Sequence, residues 1–460
     1  MAFRHAISLS RSAARSVRVL ARFNEASATS RTFHLARQFS ATAHPLAPFE
    51  DVFGAACASR ELPGVAMLAA NQTGTLRYSK AFGFRSPRDD KAKEPLDVDS
   101  PMYIASCTKL ITSIAAMQCV ERGWIALDDD VRPFVHELQD VDVVTKSNNS
   151  QGFSSHKNEA PITLRHLLTH TAGFCYEWNE PLLQAWRRQQ PEHRREPGTS
   201  LRGRFLHPLI YEPGTSWSYG PSVDWAGVLI ERLSGLNLES YMRRHIWEPL
   251  GIKSMTFFLS TRPDMRSRAV HMSYRETKGE QPGTTSPVKY AEKQPVLDPD
   301  VEDCLGGGGI YAAPSDYLKV LQALLAAASP LATDAPSVPP AQLLRRSSAE
   351  AIFQPQLSEP SRNAMYGVCR MPGLSMIMGG GPTTTRKDWG LGGILVMEDL
   401  PSWRRRGTMS WYGWPNLYWW IDRSAGLCGF YASQLMPLAD PKSAEMIELF
   451  EKEMYARLGS

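Results

Sequence analysis

The chain has 460 residues, 43% of them hydrophobic and 21% charged, and carries a formal net charge of +4. It exceeds the usual domain of roughly 100–200 residues, is ordinary in globular composition, and is too nearly neutral to suggest a nucleic-acid surface. The seven cysteines are scattered without a Cys-x-x-Cys pair, which argues against structural zinc or a disulfide scaffold and suits a reducing compartment. No apolar run is long enough to imply stable membrane insertion.

Residues 1 to about 44 differ from the rest: seven arginines stand among many Ser and Ala, and Glu25 is the single acid. At roughly 100° per residue, Arg11, Arg15, Arg18 and Arg22 fall on one side of a helix, opposite Leu9, Ala13, Val17 and Leu20. This is the pattern of an organelle transit peptide, and Arg37-Gln38-Phe39-Ser40 resembles a mitochondrial processing site cleaved after Phe39. Mitochondrial import is the expectation; the alternative is a disordered basic tail on a cytoplasmic protein. Residues 45–460 then form the folded body.

Gly64–Ala70 and Leu76–Gly83 read as two strands joined by a turn at Asn71-Gln72-Thr73-Gly74. In Ile104-Ala105-Ser106-Cys107-Thr108-Lys109, a serine and a lysine lie three residues apart as helical spacing begins, and the helix ends near Gly123. Positions i and i+3 share a helix face, so the Lys109 amine can approach the Ser106 hydroxyl. If Ser106 opens the helix, its backbone N–H is one of the free donors of the first turn. A nucleophilic serine needs both, a base for its proton and fixed positive charge for the oxyanion. Alone, a Ser-x-x-Lys is weak evidence and reads as an N-capping serine before a solvated lysine.

Asp128, Asp129 and Asp130 read as a solvated helix start, and 144–160 as a polar surface loop. Thr163 to Phe174 reads as a short helix closed at Gly173. Its His166 and His170 lack the glutamate of a His-Glu-x-x-His zinc site, so structural hydrogen bonding is expected. Tyr211 to Pro221 makes a turn before a helix from Val223 to Leu233. A phenol such as Tyr219, presented from a rigid turn, can shuttle a proton beside an ammonium; otherwise it covers the core. Gly306-Gly307-Gly308-Gly309 is not followed by Gly-Lys-Ser/Thr, so a closely approached strand beginning is expected rather than a phosphate loop. Residues 326–341 read as a linker or insertion. Thr408–Trp414, Leu417–Asp422 and Gly426–Ala432 read as strands, and Ala444–Leu458 as a terminal helix.

Taken in this order, the stretches resemble the serine β-lactamase-like superfamily of class C β-lactamases, D-alanyl-D-alanine carboxypeptidases and related esterases. The residues that carry it are Ile104 to Lys109, Leu167-Leu168-Thr169-His170-Thr171-Ala172-Gly173, Pro213-Gly214-Thr215 with Tyr219, and the glycine run with Asp316-Tyr317, across about residues 50–440. Tyr219-Gly220-Pro221 and Trp411 to Leu417 look most like the fungal lovastatin-type transesterases. The resemblance implies an α+β fold: an antiparallel sheet flanked by helices, built from both ends of the chain, with a mainly helical region over about 101–300 inserted between. It also implies Ser106 as nucleophile, Lys109 as its base partner, Tyr219 as proton shuttle, and the N–H groups of Ser106 and Trp414 as oxyanion hole, with neither metal nor cofactor.

Two departures bear on substrate. Pro221 stands where class C lactamases carry asparagine, and Trp411-Tyr412-Gly413 replaces Lys-Thr-Gly, which serves a substrate carboxylate. Tryptophan supplies a stacking face and no charge, so an anionic β-lactam would lie poorly paired in a desolvated site. Trp411, Tyr412, Gly413 and Trp414 are therefore expected to bind a neutral acyl group. The reaction expected is acyl transfer from a small-molecule ester or thioester, such as coenzyme A or an acyl carrier domain, to a hydroxylated acceptor in secondary metabolism. An esterase or peptidase is the alternative, and a catalytically silent scaffold or filament protein a third.

Overall fold

Alternation of side chains explains how one sheet organises the molecule. In the computed structural model, which describes residues 49–459 except 89–92, 150–151, 192–198, 277–285, 293–300, 331–341, 372–373 and 375, the expected N-terminal hairpin is β1 (Val65–Asn71) and β2 (Arg77–Phe82). The C-terminal half adds β3 (Lys387–Trp389), β4 (Ile394–Val396), β5 (Met409–Gly413), β6 (Leu417–Asp422) and β7 (Leu427–Ser433). These pair antiparallel in the order β3-β4-β5-β6-β7-β1-β2, so β1 lies between β7 and β2 and joins the two ends of the chain. The transit-peptide reading and most of the expected linker fall outside the described residues.

Strands β1, β5, β6 and β7 are buried almost throughout, as befits a sheet covered on both faces. Period-two alternation sorts their residues into two cores. Val65, Met67, Tyr412, Tyr418, Trp420 and Tyr431 face α1 (Phe49–Ala58) and the C-terminal helix Pro441–Leu458. Ala66, Leu68, Trp411, Trp419, Cys428 and Phe430 face the other way, against α2 (Thr108–Glu121) and α3 (Pro314–Ala328). The C-terminal helix is also tied down by a buried Arg404–Glu451 pair at 2.7 Å. Among the described residues no helix is long and apolar enough to cross a membrane.

Several local expectations change. The stretch read as a polar loop contains a hairpin, Asp142–Lys146 against Phe153–Lys157, with Val143, Val144 and Phe153 turned inward. The three aspartates form a turn, not a helix start: Asp128 pairs with Arg165 at 2.7 Å, and Asp130 grips Arg132. The histidine-bearing helix spans Leu164–Leu168, capped by Thr163, and ends well before Gly173 because His170 takes a left-handed φ of 60°. Ser106 lies in a 3-10 turn, Ala105–Cys107, that leads directly into α2.

The sheet tolerates no bulk where Trp420 crosses β7. A Cβ added at Gly429 would lie 2.2 Å from the Trp420 ring, so Gly429→Ala must displace an indole in the core. Overpacking of this kind costs about 1–3 kcal/mol. Gly429→Ala should therefore lower the thermal midpoint; an unchanged midpoint by calorimetry would show that the indole has room to move.

Candidate active site

The turn before α2 is held from three sides. Ile104 N–H donates to Ile310 O at 3.0 Å, the Tyr317 hydroxyl donates to Cys107 O at 2.8 Å, and Ile310 N–H donates to Thr108 Oγ1 at 3.2 Å. Ala105 is driven to a φ of 45°, a strained value for a residue with a Cβ. Ser106 remains partly exposed between buried neighbours. The adjacent Cys107 thiol is fully buried and pushed up in pKa by that burial, so of the two side chains the serine hydroxyl is the accessible one.

Lys109 follows on the same face and is 2% exposed. Its Nζ lies 3.3 Å from Ser106 Oγ, 3.3 Å from the Tyr176 hydroxyl and 2.6 Å from the Gly307 carbonyl oxygen. Three oxygen atoms thus surround the amine. Tyr219 comes from the expected turn, and its ring faces Nζ with 4.7 Å to the centroid. The structure thus brings Ser106, Lys109 and Tyr219 together.

Tyr219 is placed by its backbone. Ser218 N–H and the Tyr211 hydroxyl both donate to the carbonyl of His170, which the left-handed conformation turns toward them. Gly220 lets the turn press on the segment below, since a Cβ there would fall 2.6 Å from Phe174 O. The His170 imidazole packs 4.7 Å from the Tyr219 ring, with neither nitrogen bonded among the described residues. Burial, helped by the Lys109 charge, keeps its pKa well down and the ring neutral.

From the other side, Trp411 on β5 donates its indole N–H to the Tyr219 hydroxyl oxygen at 3.0 Å. Trp389 braces the Trp411 ring at 4.6 Å, nearly perpendicular. Gly413 lets the end of β5 approach the serine turn, because a Cβ there would lie 2.7 Å from Ile104 O. Trp414 follows in the β5–β6 turn and meets Trp178 edge-on at 5.4 Å. Trp178, 42% exposed, stacks on Tyr176 at 4.2 Å, which forms an aromatic rim beside Lys109.

One expected residue lies elsewhere. Tyr412 was expected to contact substrate, yet it points to the opposite face of the sheet, where its hydroxyl donates to Asn416 Oδ1 at 2.8 Å. Alternation along β5 sends Trp411 and Tyr412 to opposite faces. Tyr176 is the residue that sequence reasoning missed. It follows the Gly173 turn without any spacing that ties it to Lys109, and burial holds its phenol pKa well up, so it stays neutral.

A family model described as β-lactamase matches residues 49–450. The chain belongs to the β-lactamase family. It is 36% identical over 424 residues to monacolin J acid methylbutanoyltransferase of Aspergillus terreus, covering 91% of this chain and 97% of that protein. It is 31% identical to lovastatin esterase of Penicillium rubens, with 89% and 98% covered. The unliganded simvastatin synthase of A. terreus superposes with a TM-score of 0.80 at 35% identity, over 90% of this chain and 99% of that one. The α+β fold of this β-lactamase-family enzyme and its kinship with fungal acyltransferases therefore agree with the sequence reading.

The Trp411–Tyr219 hydrogen bond can be tested alone. Trp411→Phe keeps an aromatic ring against Trp389 and removes the donor. A hydrogen bond worth about 1 kcal/mol corresponds to roughly a fivefold change in rate. Trp411→Phe should lower kcat for ester turnover by at least that factor with little change in KM; an unaltered kcat would detach Trp411 from the Tyr219 hydroxyl.

Proposed function

We propose that this chain is a serine acyltransferase that moves an acyl group from an ester or thioester donor to a hydroxyl of a polyketide-type acceptor. The observation that carries it is the Lys109 amine, held 3.3 Å from Ser106 Oγ and facing the Tyr219 ring. Ser106 Oγ attacks the acyl carbonyl and passes its proton into the Lys109–Tyr219 pair, and the carbon–oxygen or carbon–sulfur bond of the donor breaks. That proton leaves with the departing alcohol or thiol. An acceptor hydroxyl then attacks the acyl-enzyme, gives its proton to the same pair, and releases the ester and free Ser106. The N–H groups of Ser106 and Trp414 take the oxyanion role at the junction of the serine turn and the β5–β6 turn.

The Trp411 indole stands where related enzymes use a lysine, so nothing at that position pairs a substrate carboxylate, and a neutral acyl group fits. The donor is a small-molecule ester or thioester, with coenzyme A and an acyl carrier domain as thioester sources. The likeness to the Penicillium esterase supports a second reading, in which water takes the acceptor's place.

Intact-protein mass spectrometry with an acyl thioester and a p-nitrophenyl ester separates these. The protein should gain one acyl group, absent in Ser106→Ala, that persists in buffer and clears when alcohols are added. Clearance in buffer alone would establish the esterase, and an adduct in Ser106→Ala would remove Ser106 from the mechanism.

The arginine-rich first 44 residues support import into mitochondria. The full chain fused to a C-terminal fluorescent protein should colocalise with mitochondria and begin at Ser40 when its N-terminus is sequenced. A diffuse cytosolic signal with the original N-terminus would overturn this.

A further inference from the structure

A buried carboxylate stands behind the lysine, unused by the mechanism above. Asp224 lies in the first turn of the helix Ser222–Ser234, five positions after Tyr219, and is 1% exposed. Its Oδ1 accepts the Gly307 N–H at 2.9 Å, while Oδ2 has no hydrogen-bond partner among the described residues. The carboxylate lies flat against the glycine: a Cβ at position 307 would fall 2.2 Å from Oδ2. Gly307 is thus gripped at both ends, its N–H by Asp224 and its carbonyl by Lys109 Nζ at 2.6 Å. Burying a carboxylate with half its acceptor capacity unused is costly, and Asp224 does not cap its own helix, whose N-cap is Pro221.

We propose that Asp224 is a positioning residue of this active site: it holds Gly307 so that the carbonyl fixes the Lys109 amine beside Ser106, and its negative charge sets the field in which that amine handles protons. The assignment rests on the reading of Ser106 as nucleophile with Lys109 as its partner. Removing the charge loosens the amine without touching substrate. A fourth contact on the Lys109 amine is the Tyr219 ring, 4.7 Å from Nζ to its centroid.

The carboxyl also gives the site a pH dependence. Burial pushes it up to about 6, against the pull of Lys109, the Gly307 N–H and Arg204. The remaining ionisable groups that face it, Tyr103 and Tyr176, are phenols whose pKa burial pushes far up, so they stay neutral. The one imidazole at the site, His170, is pushed well down. Asp224 is therefore ionised above about 6 and neutral below, and acylation should fall as pH drops through that value.

The test is the rate of Ser106 acylation by p-nitrophenyl butanoate across this window, with the full chain. Asp224→Asn keeps an acceptor for the Gly307 N–H and removes the charge. It should acylate about 10- to 100-fold more slowly, the scale of losing one preorganised electrostatic interaction at the site, with KM little changed and without the fall in acid. Acylation within twofold of wild type would overturn the proposal. So would a lower thermal midpoint with the acid fall retained, the mark of a purely structural role. If Asp224→Asn does not fold, the wild-type profile decides: a rate that is flat through pH 6 overturns it. A wild-type protein that forms no Ser106 adduct would instead sink the nucleophile reading, and this inference with it.

Discussion

The buried amine of Lys109 is the constraint on which the site depends. A 2%-exposed lysine is tolerable when polar groups replace the water it lost. Here the replacements come from three separate parts of the chain: the serine turn, the segment after Gly173, and the glycine run. Each of those parts needs its own support. Tyr317 and Ile310 hold the turn, Thr112 Oγ1 holds the Gly306 carbonyl at 2.7 Å, and Asp224 holds Gly307. The cradle therefore exists once the sheet, α2 and both connecting loops have packed together.

Around this amine the protein builds a rigid aromatic layer rather than a charged one. Tyr219 is flanked by His170 and Trp411, and Trp389 touches both of those rings. Aromatic rings that meet edge to face lose few degrees of freedom and resist sliding. The Trp411 N–H supplies one directed hydrogen bond to the Tyr219 hydroxyl and carries no charge. An uncharged indole there suits a site in which an uncharged ester is broken and another is made, because it offers no charge to pair with an anion.

Transfer and hydrolysis share every residue described here up to the acyl-enzyme. What divides them is who reaches the acyl carbonyl next, and that depends on how well water is kept away. Tyr176 and Trp178 stack beside Lys109, and Trp414 meets Trp178 edge-on. Ala105, next to Ser106, and His170, against Tyr219, both hold left-handed backbone conformations. Both outcomes occur among the relatives of this chain, which include a methylbutanoyltransferase 36% identical and an esterase 31% identical.

Local spacing carried much of this structure. The hairpin around Asn71 to Gly74, the Ser106–Lys109 face, the turn bearing Tyr219, the aromatic strands and the terminal helix follow from contacts among near neighbours, and each is legible residue by residue. The exceptions are also local in origin: Val143 and Val144 turned a polar stretch into a hairpin, and one left-handed residue, His170, ended a helix early. What the chain alone leaves open is which distant residues meet. Tyr176 reaches Lys109 from 67 positions away, Gly307 from 198, and Trp411 reaches Tyr219 from 192. Such partners share no periodicity with the residues they serve. Pattern could set Ser106 and Lys109 on one face; packing decided what holds the lysine still, because a buried amine takes its oxygens from whichever elements close over it.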